Sequence, residues 1–223
     1  MVSTRFTDRN GGFSNSPYAS FNLALHVGDD AESVNLNRNS FVQDIGATAF
    51  MRQVHGDTVF VVDGVPAHEP IADALVSQQT GIALVVLVAD CIPLLLWDEA
   101  AHCIAAVHVG RRGLVNGITS KVIRVMRMMG ATNIQGELGP SICGACYEVG
   151  SDVYEEVGDL FPAARAQTSW GTLALDLPAA LSKVLVDEEI QVVRSHSCTV
   201  EDANFFSYRR GGITGRQAGA IWI

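Results

Sequence analysis

The chain has 223 residues, 48% of them hydrophobic and 17% charged, enough apolar material for a substantial core. With 24 Asp and Glu against 15 Lys and Arg the formal net charge is -9, a surface that repels a phosphate backbone and excludes nucleic acid as a partner. A small anionic substrate is not excluded, because a few placed arginines make a positive pocket in an acidic protein.

No Pro/Ser-rich linker, charge block or internal repeat marks a boundary, so residues 1–223 read as a single domain. Met1 to Asn10 is polar with no apolar signal-like core, and the five cysteines are odd in number and sparse. Both features point to a cytoplasmic protein with reduced thiols rather than a disulfide framework. In chain order, Val34 and Phe41 lie at helical spacing around Arg38, and a short strand fits Val59 to Val62. Gly81 to Trp97 is the longest apolar run, but Asp90 and Pro93 interrupt it and it is too short to cross a bilayer, so no membrane is expected. Within it Ile82–Val88 and Leu94–Trp97 read as strands. With Cys103–Val109 they are expected to form the centre of one sheet, the last two as a hairpin turning at Asp98 and Glu99.

From Leu114 the pattern changes: Leu114, Ile118, Val122, Met126 and Met129 recur at three-to-four spacing, an amphipathic helix stopped by Gly130. Further helices are expected over Ser151–Leu160, ended by Pro162, and over Leu177–Val186, capped by Asp176 with Pro178 in the first turn. Strands fit Gln191–His196 and Ala218–Ile223. The interleaving predicts an α/β or α+β layered fold, with no strand order implied.

Three candidate ligands fall at strand ends or in adjoining turns: His55 in Gln53-Val54-His55-Gly56-Asp57, Cys91 in Val88-Ala89-Asp90-Cys91, and His108 in Ala106-Val107-His108-Val109-Gly110. Two imidazoles and a thiolate suit zinc, and three protein ligands leave a fourth position open, as at catalytic sites. Their long spacing matches no short zinc signature, and by spacing alone a buried thiol and two hydrogen-bonded histidines is the better reading.

The residues around them change the weighing. Gln53-Val54-His55-Gly56, Ala72-Asp73-Ala74-Leu75-Val76, Ala89-Asp90-Cys91-Ile92-Pro93, His108-Val109-Gly110-Arg111-Arg112-Gly113 and Leu138-Gly139-Pro140-Ser141-Ile142 resemble successive signatures of one family. It is the laccase-domain purine nucleoside phosphorylase family, also called the peptidoglycan editing factor or multicopper polyphenol oxidase family. The ends agree: Ser20-Phe21-Asn22-Leu23 and His26-Val27-Gly28-Asp29-Asp30, then Phe205-Phe206-Ser207-Tyr208-Arg209-Arg210 and Thr214-Gly215-Arg216. The resemblance covers nearly the whole chain. It departs at Val109 and Arg111, where the family has His-Ala-Gly-Trp-Arg-Gly, at Val88 in place of a threonine, and at Cys143-Gly144-Ala145-Cys146-Tyr147.

The resemblance implies a compact α/β (α+β) layered sandwich, with mixed central sheets flanked by helices, and a metal, zinc or copper, on His55, Cys91 and His108. It also implies phosphorolysis of adenosine, inosine and methylthioadenosine, and hydrolytic deamination of adenosine. For deamination a metal-bound water is the expected nucleophile. Cys91, His108 and Asp90 are the expected catalytic groups, with Asp90 or Asp73 either moving the proton or orienting a ligand imidazole. Asn22 and Arg38 match family positions associated with nucleoside and phosphate, and Arg111, Tyr208 and Arg209 add phosphate or ring contacts, Arg111 by stacking where the family has Trp. Among the other histidines, His26 is the best placed to line the pocket. The substrates would be a purine nucleoside and phosphate, handled by a monomer or homodimer.

Three rivals remain. A copper-dependent polyphenol oxidase needs many imidazoles, commonly in His-X-His pairs, and the chain has six histidines and no such pair. A metal-free hydrolase would use Cys91 as nucleophile and His108 as base on a cell-wall precursor. A non-enzymatic structural metal module would need a fourth ligand, which Cys143 or Cys146 could supply. The thioredoxin-like spacing of those two cysteines also admits a redox reading, with Cys103 and Cys198 as core or loop thiols.

Overall fold

The computed structural model describes all residues, Met1 to Ile223. Its strands in chain order are β1 (Ser3–Phe6), β2 (Ala47–Ala49), β3 (Val59–Val62), β4 (Ala74–Ser77), β5 (Ile82–Val88), β6 (Ile92–Asp98), β7 (Cys103–Val109), β8 (Gln135–Leu138), β9 (Arg165–Gln167), β10 (Leu173–Leu175), β11 (Gln191–Arg194) and β12 (Gln217–Trp222). The helices are α1 (Ala31–Ile45), α2 (Arg111–Val115), α3 (Ile118–Met128), α4 (Ser151–Leu160), α5 (Leu177–Asp187) and the single turn α6 (Tyr208–Gly211).

Two mixed sheets form the middle of the molecule, one of six strands in the order β11-β8-β6-β7-β4-β3 and one of four in the order β1-β12-β5-β2. Pleat alternation divides each strand between two cores. In β6 Leu94 and Leu96 face the helical side with Val122, Met126 and Leu181, whereas Leu95 faces the second sheet with Leu84, Val86 and Ile221. In β5 Val85 and Leu87 turn away from that interface and pack with Phe21, Leu23 and Phe41 of α1 and the N-terminal segment. The order of layers is therefore helix, sheet, sheet, helices, and it explains why β5, β6 and β7 carry apolar runs without polar alternation: each is covered on both faces.

The expectation that β5, β6 and β7 share a sheet is corrected here. Only β6 and β7 do, as the anticipated hairpin; β5 lies in the four-stranded sheet between β12 and β2. The chain changes sheets across Ala89-Asp90-Cys91, where Asp90 takes a φ of 91°. Such a crossing leaves the apolar pattern of both strands unchanged. The expected helix from Leu114 is also divided, at Asn116 and Gly117, where Gly117 adopts a φ of 74° before α3 begins. The stop at Gly130 and the cap of α5 are where the sequence puts them: Asp176 accepts from the Ala179 N–H at 2.8 Å.

Asp98 ends β6 and is nearly inaccessible to solvent. Its carboxylate accepts the N–H groups of Ala101 at 3.1 Å and of Thr132 and Asn133 at 2.7 Å, tying the β6–β7 turn to the segment before β8. Burial pushes this carboxyl up, but the N–H donors outweigh it and hold it below the usual carboxylate range. Asp98→Ala, which strands those donors, is expected to cost about 3 kcal/mol in urea unfolding at neutral pH. Because the folded value is depressed, the share of that stability due to the ionised form is fully present above the unfolded pKa of about 3.9 and is lost as pH falls through the lower folded value. The gap between wild type and variant should therefore narrow in acid; a gap independent of pH would show that the carboxylate charge contributes nothing.

Candidate active site

The hairpin register places the first two candidate groups. Asp73, just before β4, lies opposite His108 of β7, whose N–H bonds to the Asp73 carbonyl at 2.8 Å. Cys91 immediately precedes β6, where Pro93 pairs with His108. His55 comes from a separate loop that two side chains hold in place. Gln53 bonds both main-chain groups of Leu87, each at 2.8 Å, pinning the loop to β5. The Asp73 carboxylate accepts from the N–H groups of Val54 at 3.2 Å, His55 at 2.9 Å and Gly56 at 2.7 Å, which supports His55 at a left-handed φ of 58°.

The same carboxylate accepts from His108 Nδ1 at 2.8 Å. That bond fixes the ring so that Nε2 is free to act as a ligand. Asp73 is wholly buried and His108 nearly so. The donor atoms of His55, Cys91 and His108 lie within 4.8 Å of one another, with His55 Nε2 3.8 Å from Cys91 Sγ and the two imidazoles edge to face at 4.6 Å between centroids. A Cβ on Gly110 would stand 2.9 Å from Cys91 Sγ and 3.2 Å from His55 Cδ2, so only glycine fits against the cluster. Two nitrogens and one sulfur converging from three segments, one imidazole locked by a carboxylate, suit a zinc or copper ion. Without an ion, burial pushes the Cys91 thiol up, but His108 and then His55 outweigh it and bring it to about 6. Burial lowers His108 in turn, while Cys91 and Asp73 raise it to about 9. The pair is therefore thiolate and imidazolium, ready to exchange a proton for a cation.

The cluster forms one wall of a cavity of about 410 Å³, within the usual range for small-molecule sites. His26, Arg111, Tyr147, Tyr208, Arg209 and Arg216 contribute to its lining. Arg209 lies over the Tyr147 ring at 5.1 Å and donates to the Glu148 carbonyl at 2.9 Å; Arg111 pairs with Glu156 at 3.2 Å. Burial first, then Arg216, holds His26 below its ordinary value, with Arg38 and Arg52 adding to the effect against Glu69. Burial, then the Cys91 charge, pushes the Tyr147 phenol up, so it stays protonated.

Other sequence expectations meet a different geometry. Asn22 is buried outside the cavity lining, its amide donating to the Ala24 carbonyl and to Asp29 and accepting from the N–H groups of Ala24 and Arg216. It positions Arg216 rather than facing the cavity. Arg38 is also outside the lining: it donates to the Leu23 carbonyl at 2.8 Å, pairs with Glu69 at 2.7 Å and covers the Phe50 ring at 4.1 Å. Asp90 lines the cavity but touches no imidazole; it accepts the Thr199 hydroxyl and the Arg209 N–H, both at 2.7 Å. Between Asp90 and Asp73, the residue that orients an imidazole is Asp73. Cys143 and Cys146, considered as a fourth ligand, belong to a separate group with Cys198 and Glu201. Arg216 and Tyr147 join the site with no individual signal in sequence, although Thr214-Gly215-Arg216 and the tyrosine after Cys146 stand in the motifs that carry the resemblance.

The family model for multi-copper polyphenol oxidoreductase laccase matches residues 3–223. The chain belongs to this laccase family. A purine nucleoside phosphorylase of Corynebacterium glutamicum is 46% identical over 98% of this chain and 93% of its own length. One of Streptomyces coelicolor is 43% identical, covering 98% and 94%. The crystal structure of a Neisseria meningitidis protein superposes with a TM-score of 0.91 at 37% identity, covering 100% of this chain and 94% of that one. The laccase family's copper description has a narrow structural counterpart here, since the group of candidate ligands at the cavity joins only two imidazoles. No helix is long and apolar enough to cross a membrane.

Proposed function

We propose that this laccase-family chain is a zinc-dependent purine nucleoside enzyme, which phosphorolyses adenosine, inosine and methylthioadenosine and deaminates adenosine by hydrolysis. The observation that carries the reading is the meeting in one cavity of a His/Cys/His ligand cluster with three arginines and two tyrosines. The two relatives named purine nucleoside phosphorylase support it. His55, Cys91 and His108 would hold the metal, and Asp73 would orient His108. Zinc held there would supply Lewis-acid chemistry and lower the pKa of water.

The chain's own residues meet the remaining demands. Phosphorolysis forms a bond from a phosphate oxygen to the sugar's anomeric carbon as the bond to the purine breaks, so the phosphate must be held and the departing base must gain a proton. Arg111, Arg209 and Arg216 provide the positive charge for the first. The protonated Tyr147 phenol is the proton-bearing group available for the second, with His26 placed as a hydrogen-bonding partner in the same lining. Tyr208, Tyr147 and the Arg111 guanidinium offer flat faces for a purine ring. Asp90 contributes by holding Arg209 through its main chain and by balancing the arginine charge.

A second reading has its own observation: Asp73 holds His108 at 2.8 Å, the donor atoms of His108 and Cys91 lie within 4.8 Å of each other, and the two histidines draw the Cys91 thiol down to about 6. That is the arrangement of a metal-free cysteine hydrolase. Assays of the zinc-loaded protein with adenosine and inosine, with and without phosphate, decide between them. Phosphate-dependent release of free base with ribose 1-phosphate, and phosphate-independent inosine from adenosine, are expected. Absence of turnover on every purine nucleoside would sink the proposal, and full activity of chelated, metal-free protein would favour the cysteine hydrolase.

A further inference from the structure

Away from the cavity lining, two turns bring four ligand atoms together. Cys143-Gly144-Ala145-Cys146 and Cys198-Thr199-Val200-Glu201 each offer donors three residues apart, the spacing of a zinc knuckle. The three sulfurs and a Glu201 oxygen lie within 4.8 Å of one another. A tetrahedron with zinc–sulfur bonds of about 2.3 Å places its donors about 3.8 Å apart, so closing the cluster takes shifts of about 1 Å. We propose that Cys143, Cys146, Cys198 and Glu201 form a second, structural zinc site, which clips two loops together beside the cavity.

The turns are set without the ion. The N–H groups of Cys146 and Tyr147 both bond to the Cys143 carbonyl at 3.1 Å, and a Cβ on Gly144 would stand 2.8 Å from Asp176 Cβ, so the first turn is packed in place. Arg210 donates to the carbonyls of Thr199, Val200, Asp202 and Phe205, holding the second turn and bringing positive charge to it. A bridge between Ser141 and Cys198 joins the two, and the Cys143 N–H points at Cys198 Sγ at 3.4 Å. Cys146 and Cys198 are buried, while Glu201 reaches in from the exposed edge to 3.5 Å from Cys146 Sγ. A simple apolar pocket for thiols gives no reason for that carboxylate. The local core is Ile142 with these two cysteines, so burial alone does little to hold the loops.

Four protein ligands close the tetrahedron, which makes the site structural, unlike the three-ligand cluster at the cavity. Loading it releases the three thiol protons to solvent and changes no oxidation state. The clip would act on the cavity from behind: Thr199 bonds Asp90 Oδ1, and the Ile142 N–H bonds the Asp90 carbonyl at 3.0 Å.

The test uses Cys91→Ala, in which the cavity cluster lacks its thiolate. After zinc loading and gel filtration this protein is expected to retain one equivalent of zinc by elemental analysis and to unfold at higher temperature with the metal than without. Its cobalt form should show the strong thiolate-to-cobalt and tetrahedral visible absorption of a thiolate-rich site. Adding Cys146→Ser and Cys198→Ser should remove the metal and the absorption. Glu201→Gln, which leaves the three thiolates, should yield zinc to a competing chelator about tenfold more readily than its parent. Cys91→Ala protein that holds no zinc, that holds copper alone, or that is isolated two hydrogens lighter with Cys143 and Cys146 resistant to alkylation, would overturn the proposal; the last result would identify a disulfide.

Discussion

Replacing Cys91 by alanine is expected to lower purine nucleoside turnover about a thousandfold, corresponding to about 4 kcal/mol of lost transition-state stabilisation. The cluster has three donors, and Cys91 supplies its only negative charge, at the turn where the chain leaves one sheet for the other. Two imidazoles alone hold zinc poorly, so the variant should also lose one equivalent of metal relative to wild type while keeping its fold, because the half-buried thiol contributes little apolar packing. Elemental analysis and kcat/KM measured on the same samples check both. Full metal content together with lost activity would make Cys91 a nucleophile rather than a ligand.

Asp73→Ala is expected to act on both histidines at once. One carboxylate receives His108 Nδ1 and three consecutive N–H groups of the His55 loop, and no part of it reaches solvent. Removing it strands those donors, at a cost of about 3 kcal/mol in folding stability. It also frees the imidazole to rotate and the loop to leave its left-handed turn, and metal affinity should fall about 10- to 100-fold. Asp73→Asn keeps the shape but puts an amide nitrogen against N–H donors, so it should recover little of either loss. Chemical denaturation and a zinc competition titration give the two readouts. A stable variant with unchanged affinity would mean that the His55 loop and His108 are held by packing alone.

Much of the layered architecture was legible because burial on two faces leaves a mark in sequence. Ile82–Val88 and Cys103–Val109 have no polar alternation, and both are central strands. The short strands β1, β2, β8, β9 and β10 carried no such mark, since three or four residues give too little periodicity to read unless they are as β-branched as Val59–Val62. At the cavity, His55, Cys91 and His108 could be named from ordered motifs, whereas their spacing argued against a site. Arg216 carries no such signal, because its place depends on Asn22, far away in the chain, which holds its main chain.

By itself the sequence determined the chemistry available: acidic surface, sparse thiols, the two-faced strands, and the ligand types in their motifs. Tertiary structure alone decided which strands share a sheet, which aspartate orients an imidazole, and which cysteines stand together. Asp73 and Asp90 look equivalent in sequence, each placed near a strand start. The antiparallel register of β4 on β7 sets Asp73 against His108, while the left-handed turn at Asp90 aims its carboxylate at Thr199 and Arg209. Side-chain periodicity reports that a strand is buried. Only pairing, fixed by hydrogen bonds between segments distant in sequence, decides what each residue meets.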